Sequence, residues 1–116
     1  MSYDIGIYVK VEGCNKFAEI ACPFYPSPSY NLGRLFRSCM DWDFKVEEYY
    51  RCDCAVERLG KGIKELTHNP YRYAGLIPGN DWGRMPSALN ALVSIRDCIL
   101  EQAEEIPLEC MYMRWE

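Results

Sequence analysis

The sequence predicts an α+β fold, with a three-stranded antiparallel sheet and about three helices packed on one face of it. Three observations lead to this fold class. Apolar and polar residues alternate over residues 3–11, apolar residues recur at helical spacing between residues 31 and 105, and the alternation returns over residues 108–115. The chain has 116 residues, of which 49% are hydrophobic, and this suits one globular domain spanning residues 1–116.

The N-terminal segment predicts a β-hairpin. Its alternating apolar residues have the two-residue period of a half-buried strand, and they are Ile5, Ile7, Val9 and Val11. Residues 12–15 have the polar, glycine-containing composition of a hairpin turn, and KFAEIAC follows as a second strand antiparallel to the first. Three prolines in CPFYPSPSY then end that strand, because proline has no backbone N–H to donate.

Three helices are predicted after the hairpin. Apolar residues recur every three or four positions in NLGRLFRSCM, with Ser29 or Asn31 as the cap, and in CDCAVERLGKGIKEL, with Asp53 as the cap. The segment DWDFKVEEYY between them is expected to be irregular or briefly extended, and Asn69 followed by Pro70 predicts a short helical turn. PSALNALVSIRDCILEQAEE keeps the helical spacing without an internal glycine or proline, so it predicts the longest helix.

The last segment, LECMYMRW, predicts a C-terminal strand after Pro107, because apolar residues alternate again. We expect this strand to pair beside the first one. Both strands would then bury their apolar sides, and a terminus that otherwise frays would be held in the sheet.

Composition and charge exclude several classes of function. The net charge is −4 and the basic residues are scattered among acids, which argues against direct nucleic-acid binding. No signal segment is visible, and no apolar run approaches the roughly 18 residues that span a bilayer, so we expect a cytoplasmic protein without membrane contact. The glycines form neither GxGxxG nor GxxxxGK[ST], which argues against a nucleotide-binding loop.

No metal ion, cofactor or enzymatic reaction is predicted. Structural zinc usually takes two C-x₂₋₄-C pairs, whereas Cys52 and Cys54 form a tighter CDC motif. A small zinc-binding structural protein stays an alternative, but it would need distant ligands such as His68 or Cys98, and we expect seven free thiols. His68 is the only histidine and lies at a helix end, and the acids lie in polar stretches, so catalysis is not indicated.

Two loops place a tryptophan beside acidic residues, MDWDF at 40–44 and NDWGR at 80–84. Loops that carry aromatic side chains are frequent contact sites. The alternative is that each tryptophan folds inward over the open end of the helical layer, which the glycines beside Trp82 would permit. For Trp82 we expect inward packing.

Four segments together resemble a group of small proteins carried by bacteriophages and mobile elements: SYDIGIYVKVEG, YNLGRLFRSCMDWDF, GIKELTHNP and NDWG. In that group an opening SYDI strand with KVEG, a YNLG or WNLG helix start, and an NGWG loop recur in this order. The resemblance covers nearly the whole chain, although this chain has NDWG where the group more often has NGWG. It implies binding to a host macromolecule, as inhibitors of bacterial defence such as anti-CRISPR proteins do, and it implies no catalytic residue.

We therefore expect a non-enzymatic protein that binds and inhibits a host defence or regulatory protein with a basic surface, through residues 24–50. The candidate binding residues are Tyr25, Tyr30, Arg34, Trp42, Asp43, Glu47, Tyr49, Tyr50 and Trp82. An alternative is a small-ligand binder, such as a sponge for a nucleotide signal, with a stacking pocket that could lie between the protomers of a homodimer. Its candidate residues are Tyr25, Tyr30, Arg34, Arg37, Trp42 and Trp82.

Overall fold

In the part of the chain that the structure describes, the fold consists of an antiparallel sheet and three α-helices. The computed structural model describes residues 2–23, 28, 30–77 and 85–116. The sheet has the strand order β2-β1-β4-β3. Its strands are β1 (Ile5–Lys10), β2 (Phe17–Ala21), β3 (Tyr49–Arg51) and β4 (Met111–Trp115). The α+β class is confirmed, but the expected number of strands is wrong, because the sheet has four strands rather than three.

Strand β1 lies between β2 and β4 and pairs antiparallel with both. The hairpin pairs Lys10 with Phe17 and continues beyond an irregularity between Ile7 and Tyr8. On its other side β1 pairs with β4, from Ile5 opposite Trp115 onward. The expected pairing of the last strand with the first is therefore confirmed.

The additional strand is β3, which begins at the end of the segment that we expected to be irregular or briefly extended and runs one residue beyond it, to Arg51. It pairs with β4 through Tyr49 opposite Arg114, Tyr50 opposite Met113 and Arg51 opposite Tyr112. Three residues are too few to show the two-residue period on which strand prediction rests. The strand is recognised by its pairing with the outer edge of β4.

The helices are α1 (Gly33–Met40), α2 (Cys52–His68) and α3 (Met85–Gln102). Two of the expected caps are wrong. A 3₁₀ turn at Tyr30–Leu32 precedes α1, so Leu32 rather than Asn31 holds the cap position, and Ser29 lies outside the described residues. Helix α2 begins at Cys52 directly after β3, which places Asp53 in its first turn and Arg51 at the cap.

No described helix is of a length and hydropathy suited to crossing a bilayer.

One face of the sheet packs against the helices. Alternate side chains of β1 and β4 enter the same core as the buried residues of α1, α2 and α3, and the fully or nearly fully buried ones are Ile5, Ile7, Met111, Met113 and Trp115. The indole of Trp115 stacks on Phe44, with ring centres 4.1 Å apart. We call the aromatic side chains grouped around it the Trp115 cluster: Tyr3, Phe36, Trp42, Phe44 and Trp115.

Two glycines in α2 have opposite surroundings. A Cβ atom on Gly62 would lie 2.5 Å from Met40 of α1 and 3.0 Å from Leu92 of α3. A Cβ atom on Gly60 would meet no atom within 4 Å. The glycine at position 62 therefore permits the close approach of three helices, whereas the one at position 60 leaves the helix less stable with no gain in packing.

We predict that alanine at these two positions changes stability in opposite directions. Gly60→Ala should raise the free energy of unfolding by about 0.5–1 kcal/mol, because alanine favours the helix. Gly62→Ala should lower it by about 1–3 kcal/mol, because the added methyl group forces neighbouring side chains apart. Urea denaturation of both variants beside the parent measures the difference. A stabilising Gly62→Ala would contradict the close packing of α1, α2 and α3.

Candidate functional site

Most of the candidate binding residues that the structure describes lie in or beside the loop between α1 and β3, residues 41–48, which we call the 41–48 loop. It begins where α1 ends, at Asp41 in the left-handed conformation with φ 49°. The Trp42 N–H then donates to the carbonyl of Arg37 at 3.0 Å. The helix end therefore fixes the direction in which the loop leaves α1.

The backbone of the 41–48 loop is also held at three points further along. The Phe44 carbonyl accepts a hydrogen bond from Nε of Arg37 at 3.0 Å. The Lys45 N–H donates to the hydroxyl of Tyr50 at 2.7 Å, and the Glu47 N–H donates to the carbonyl of Trp115 at 2.6 Å. The loop is thereby tied to a helix, to β3 and to the end of β4.

Side chains of the loop point alternately into and away from the core. Trp42 is half-buried, with ring centres 5.0 Å from Tyr50 and 5.7 Å from Phe44. Asp43 and Lys45, one on each side of Phe44, are exposed. Of the two tryptophan loops, the first thus packs its indole inward over the edge of the core.

The outer surface of the loop is mainly acidic. Residues 41–48 contain four acids and one lysine, and the side chain of Asp43 is 82% exposed. Asp41 is partly neutralised by Lys61 of α2, with 3.4 Å between Nζ and Oδ2. Val46 adds an apolar side chain that is 45% exposed.

The remaining candidate residues are not all on this surface. The rings of Tyr30 and Tyr3 are in an edge-to-face contact, with the ring centres 4.5 Å apart, and Arg34 is exposed on α1. Because neighbouring residues of a strand point to opposite faces, Tyr50 faces the helices and Tyr49 the other face of the sheet. Tyr25 and Trp82 lie outside the described residues, so the inward packing of Trp82 stays a prediction.

The face of the sheet away from the helices carries a set of side chains of which sequence analysis named only Tyr49. We call it the outer aromatic cluster, and it consists of Tyr8, Phe17, Tyr49, Tyr112 and Arg114. The rings of Phe17 and Tyr49 are stacked, with centres 3.8 Å apart and planes 9° apart. These residues come from all four strands, and only the pairing of the strands reveals that they meet.

Charges at the rim complete the outer aromatic cluster. The Arg114 guanidinium lies 5.1 Å from the Tyr49 ring centre and donates to its hydroxyl at 3.2 Å. The Tyr8 hydroxyl donates to Glu116 at 2.9 Å, and burial, together with this carboxylate, raises the pKa of Tyr8 well above its usual range. The stacked rings shield one another from solvent. The outer face of the sheet thus carries a second packed group of side chains, smaller than the core on the other face.

The CDC motif does not bring its two thiols together. Cys52 is fully buried at the start of α2, and Cys54 is exposed. Between them, Asp53 accepts hydrogen bonds from Arg51 at 2.6 and 3.2 Å, which lower its pKa. Within the described residues, no three His, Cys, Asp or Glu side chains are grouped so as to hold a metal ion. His68 is exposed as the last residue of α2.

We predict that the ring of Tyr49 contributes more to stability than its hydroxyl group. Tyr49→Ala should lower the free energy of unfolding by about 2 kcal/mol, because it removes the stack on Phe17 and the partner of Arg114. Tyr49→Phe keeps the ring and should lose about 0.5–1.5 kcal/mol with the hydrogen bond. Chemical denaturation compares the two variants, and equal losses would show that the stack contributes nothing.

We also predict that stability declines between about pH 9 and pH 12. Burial raises the pKa of Cys39 and of Cys52 from 9.0 to about 12 in the folded protein. Above pH 9 the unfolded chain therefore binds fewer protons than the folded one, and the free energy of unfolding falls as pH rises. Denaturation midpoints across this range should fall less steeply in a Cys39→Ala, Cys52→Ala variant. The exposed Cys14→Ala is the control, and a parent whose midpoint does not change would refute the effect.

The 41–48 loop combines exposed charges with a backbone that is held in place. It presents carboxylates, a lysine and an apolar side chain on a backbone that hydrogen bonds hold in place. Charged groups arranged in this way orient a partner of opposite charge and speed its encounter.

No family model, curated protein or solved structure matches the chain.

Proposed function

We propose that the protein acts without catalysis, by binding and inhibiting a host defence or regulatory protein, with the 41–48 loop as its contact surface. One observation carries this proposal: the loop exposes its charges on a backbone that is already fixed. A fixed loop loses little conformational entropy when it binds, so its contacts are converted into affinity more fully than those of a flexible loop.

The backbone of Glu47 supports the same proposal. Its φ is 66°, which is uncommon for a residue other than glycine. Such a conformation persists only where the surroundings impose it, and here the hydrogen bond to the Trp115 carbonyl does so. Strained positions are frequent at binding sites, and this one places an exposed carboxylate on the outer surface of the loop.

The charge of the loop indicates the kind of partner. Asp43, Glu47 and Glu48 are exposed, with Val46 between them. A basic protein surface with an apolar centre would complement this arrangement, with the charges setting orientation and the valine contributing buried apolar area. The resemblance of the chain to phage and mobile-element proteins supplies the biological setting, in which a host defence or regulatory protein is the partner.

The alternative of a small-ligand binder gains less support from the described residues. It would use Trp42 as a stacking platform and Arg37 as an anion-binding group. Trp42 already contacts the rings of Phe44 and Tyr50. The Arg37 guanidinium lies 4.2 Å from the centre of the Phe44 ring and donates to the Phe44 carbonyl. Both side chains are thus engaged in holding the loop.

We predict that charge reversal on the loop weakens binding, whereas the same reversal elsewhere does not. A tagged protein first captures its partner from host lysate, and the identified partner is then purified for calorimetry. The Asp43→Lys, Glu47→Lys variant should bind at least about tenfold more weakly, a loss of about 1.4 kcal/mol. The Glu104→Lys, Glu105→Lys variant alters net charge equally at two exposed positions after α3, and it should bind like the parent.

The outcomes separate the loop from a general effect of charge. Equal weakening by both variants would mean that net charge, rather than the 41–48 loop, carries binding. A test in cells measures inhibition directly: the parent should protect an invading phage from a defence system, and the loop variant should not. Failure to find either a partner or protection across a broad panel of defence systems would refute the proposal.

A further inference from the structure

A groove of about 590 Å³ lies between the end of β2 and α3, on a part of the molecule that the proposed contact surface does not use. Two cysteines line it from opposite sides. Cys22 is exposed and comes directly after the last residue of β2, and Cys98 is half-buried on α3. Two thiols that line one groove are candidates for joint chemistry, and a disulfide between them requires their Cα atoms to come within about 7 Å of each other.

The charge of Cys22 also acts on the Cys98 thiol. Burial, with the charges of Cys22 and Glu101, raises the pKa of the Cys98 thiol to about 11. Cys98 is therefore a protected thiol that stays neutral near pH 7, while Cys22 is open to reagents in solution. An accessible thiol with a shielded one beside it is an arrangement in which the first reacts and the second resolves the product.

We propose that Cys22 and Cys98 are a redox pair, which a small disulfide such as oxidised glutathione joins across the groove. The Cys22 thiolate attacks one sulfur of the small disulfide, forms a mixed disulfide and releases one thiolate. Cys98 loses its proton to solvent, attacks Sγ of Cys22 and displaces the second thiolate. Two protein thiols are oxidised to one disulfide, and one small disulfide is reduced to two thiols.

The other five cysteines are less suited to this reaction. Cys14, Cys54 and Cys110 are exposed, and none of them lines the groove. Cys39 and Cys52 are fully buried, so a reagent in solution does not reach them. Cys52 is close enough to Cys98 for the charge of Cys98 to raise its pKa. A bond between Cys52 and Cys98 is therefore the competing product that an experiment has to distinguish.

The test uses the full chain with Cys110→Ser, so that the tryptic peptide 97–114 contains only Cys98. The protein is equilibrated at low concentration in a series of reduced and oxidised glutathione, its free thiols are alkylated, and its peptides are identified by mass spectrometry. Peptide 17–34 should become linked to peptide 97–114, with two fewer alkylated thiols. Cys14→Ser is the matched control and should keep this link.

Single variants show the order of the steps. In Cys98→Ser the link should disappear and glutathione should remain on Cys22, because no second thiol displaces it. In Cys22→Ser, Cys98 should react with glutathione at least about tenfold more slowly than Cys22 does in the parent, because it is shielded. Circular dichroism checks that each variant is folded, and Cys98→Ala replaces Cys98→Ser if the serine disrupts α3.

Three results would overturn the proposal. The first is a disulfide between Cys52 and Cys98 in place of the proposed one. The second is glutathione that stays attached to Cys22 in the parent protein. The third is a parent protein whose thiols all stay reduced in the most oxidising glutathione mixture. Because Cys22 and Cys98 are remote in sequence from the 41–48 loop, none of these results depends on whether that loop binds a partner.

Discussion

The burial of Trp115 is the constraint on which the rest of the fold depends. Its indole has no exposed surface and stacks on Phe44, while the other three rings of the Trp115 cluster contact it from further directions. These rings come from the segment before β1, from α1 and from the 41–48 loop, so one side chain of β4 joins three other parts of the chain. Aromatic rings bury more surface than other side chains, and the packing at this end of the sheet therefore depends on one residue.

The order of the 41–48 loop follows from the same residue. The Glu47 N–H donates to the backbone of Trp115, and Phe44 supplies the ring that lies flat against its indole. The loop thus covers this end of the core. The side chains of Trp42 and Phe44 point toward the core, and those of Asp43 and Lys45 point toward solvent. Requirements of packing set its backbone, and its outward side chains take no part in the core.

The sequence predicts β1, β4 and the three helices from a periodicity that runs over at least five residues, and it predicts β2 from the turn composition before it. It does not predict β3, because three residues show no period and the strand is recruited by the edge of β4. The candidate site is predicted only in part, because strand pairing rather than local sequence decides which of its side chains share a face. Tyr49 and Tyr50 are adjacent in sequence, but their strand sends them to opposite faces. The outer aromatic cluster joins residues 17, 49 and 112, which no local pattern connects.

The place of β1 in the sheet has a consequence for the time course of folding. One of its neighbours, β2, follows it directly in the sequence. The other, β4, lies near the far end of the sequence, and the hydrogen-bonded side chains of Tyr8 and Glu116 are 108 positions apart. The hairpin can close within microseconds, but such distant pairings make folding slow. At about 5–20 residues per second, a ribosome needs roughly 5–20 s to deliver β4. Throughout that interval the edge of β1 that later pairs with β4 has no strand beside it, and an unpaired strand edge is open to chaperones and to aggregation.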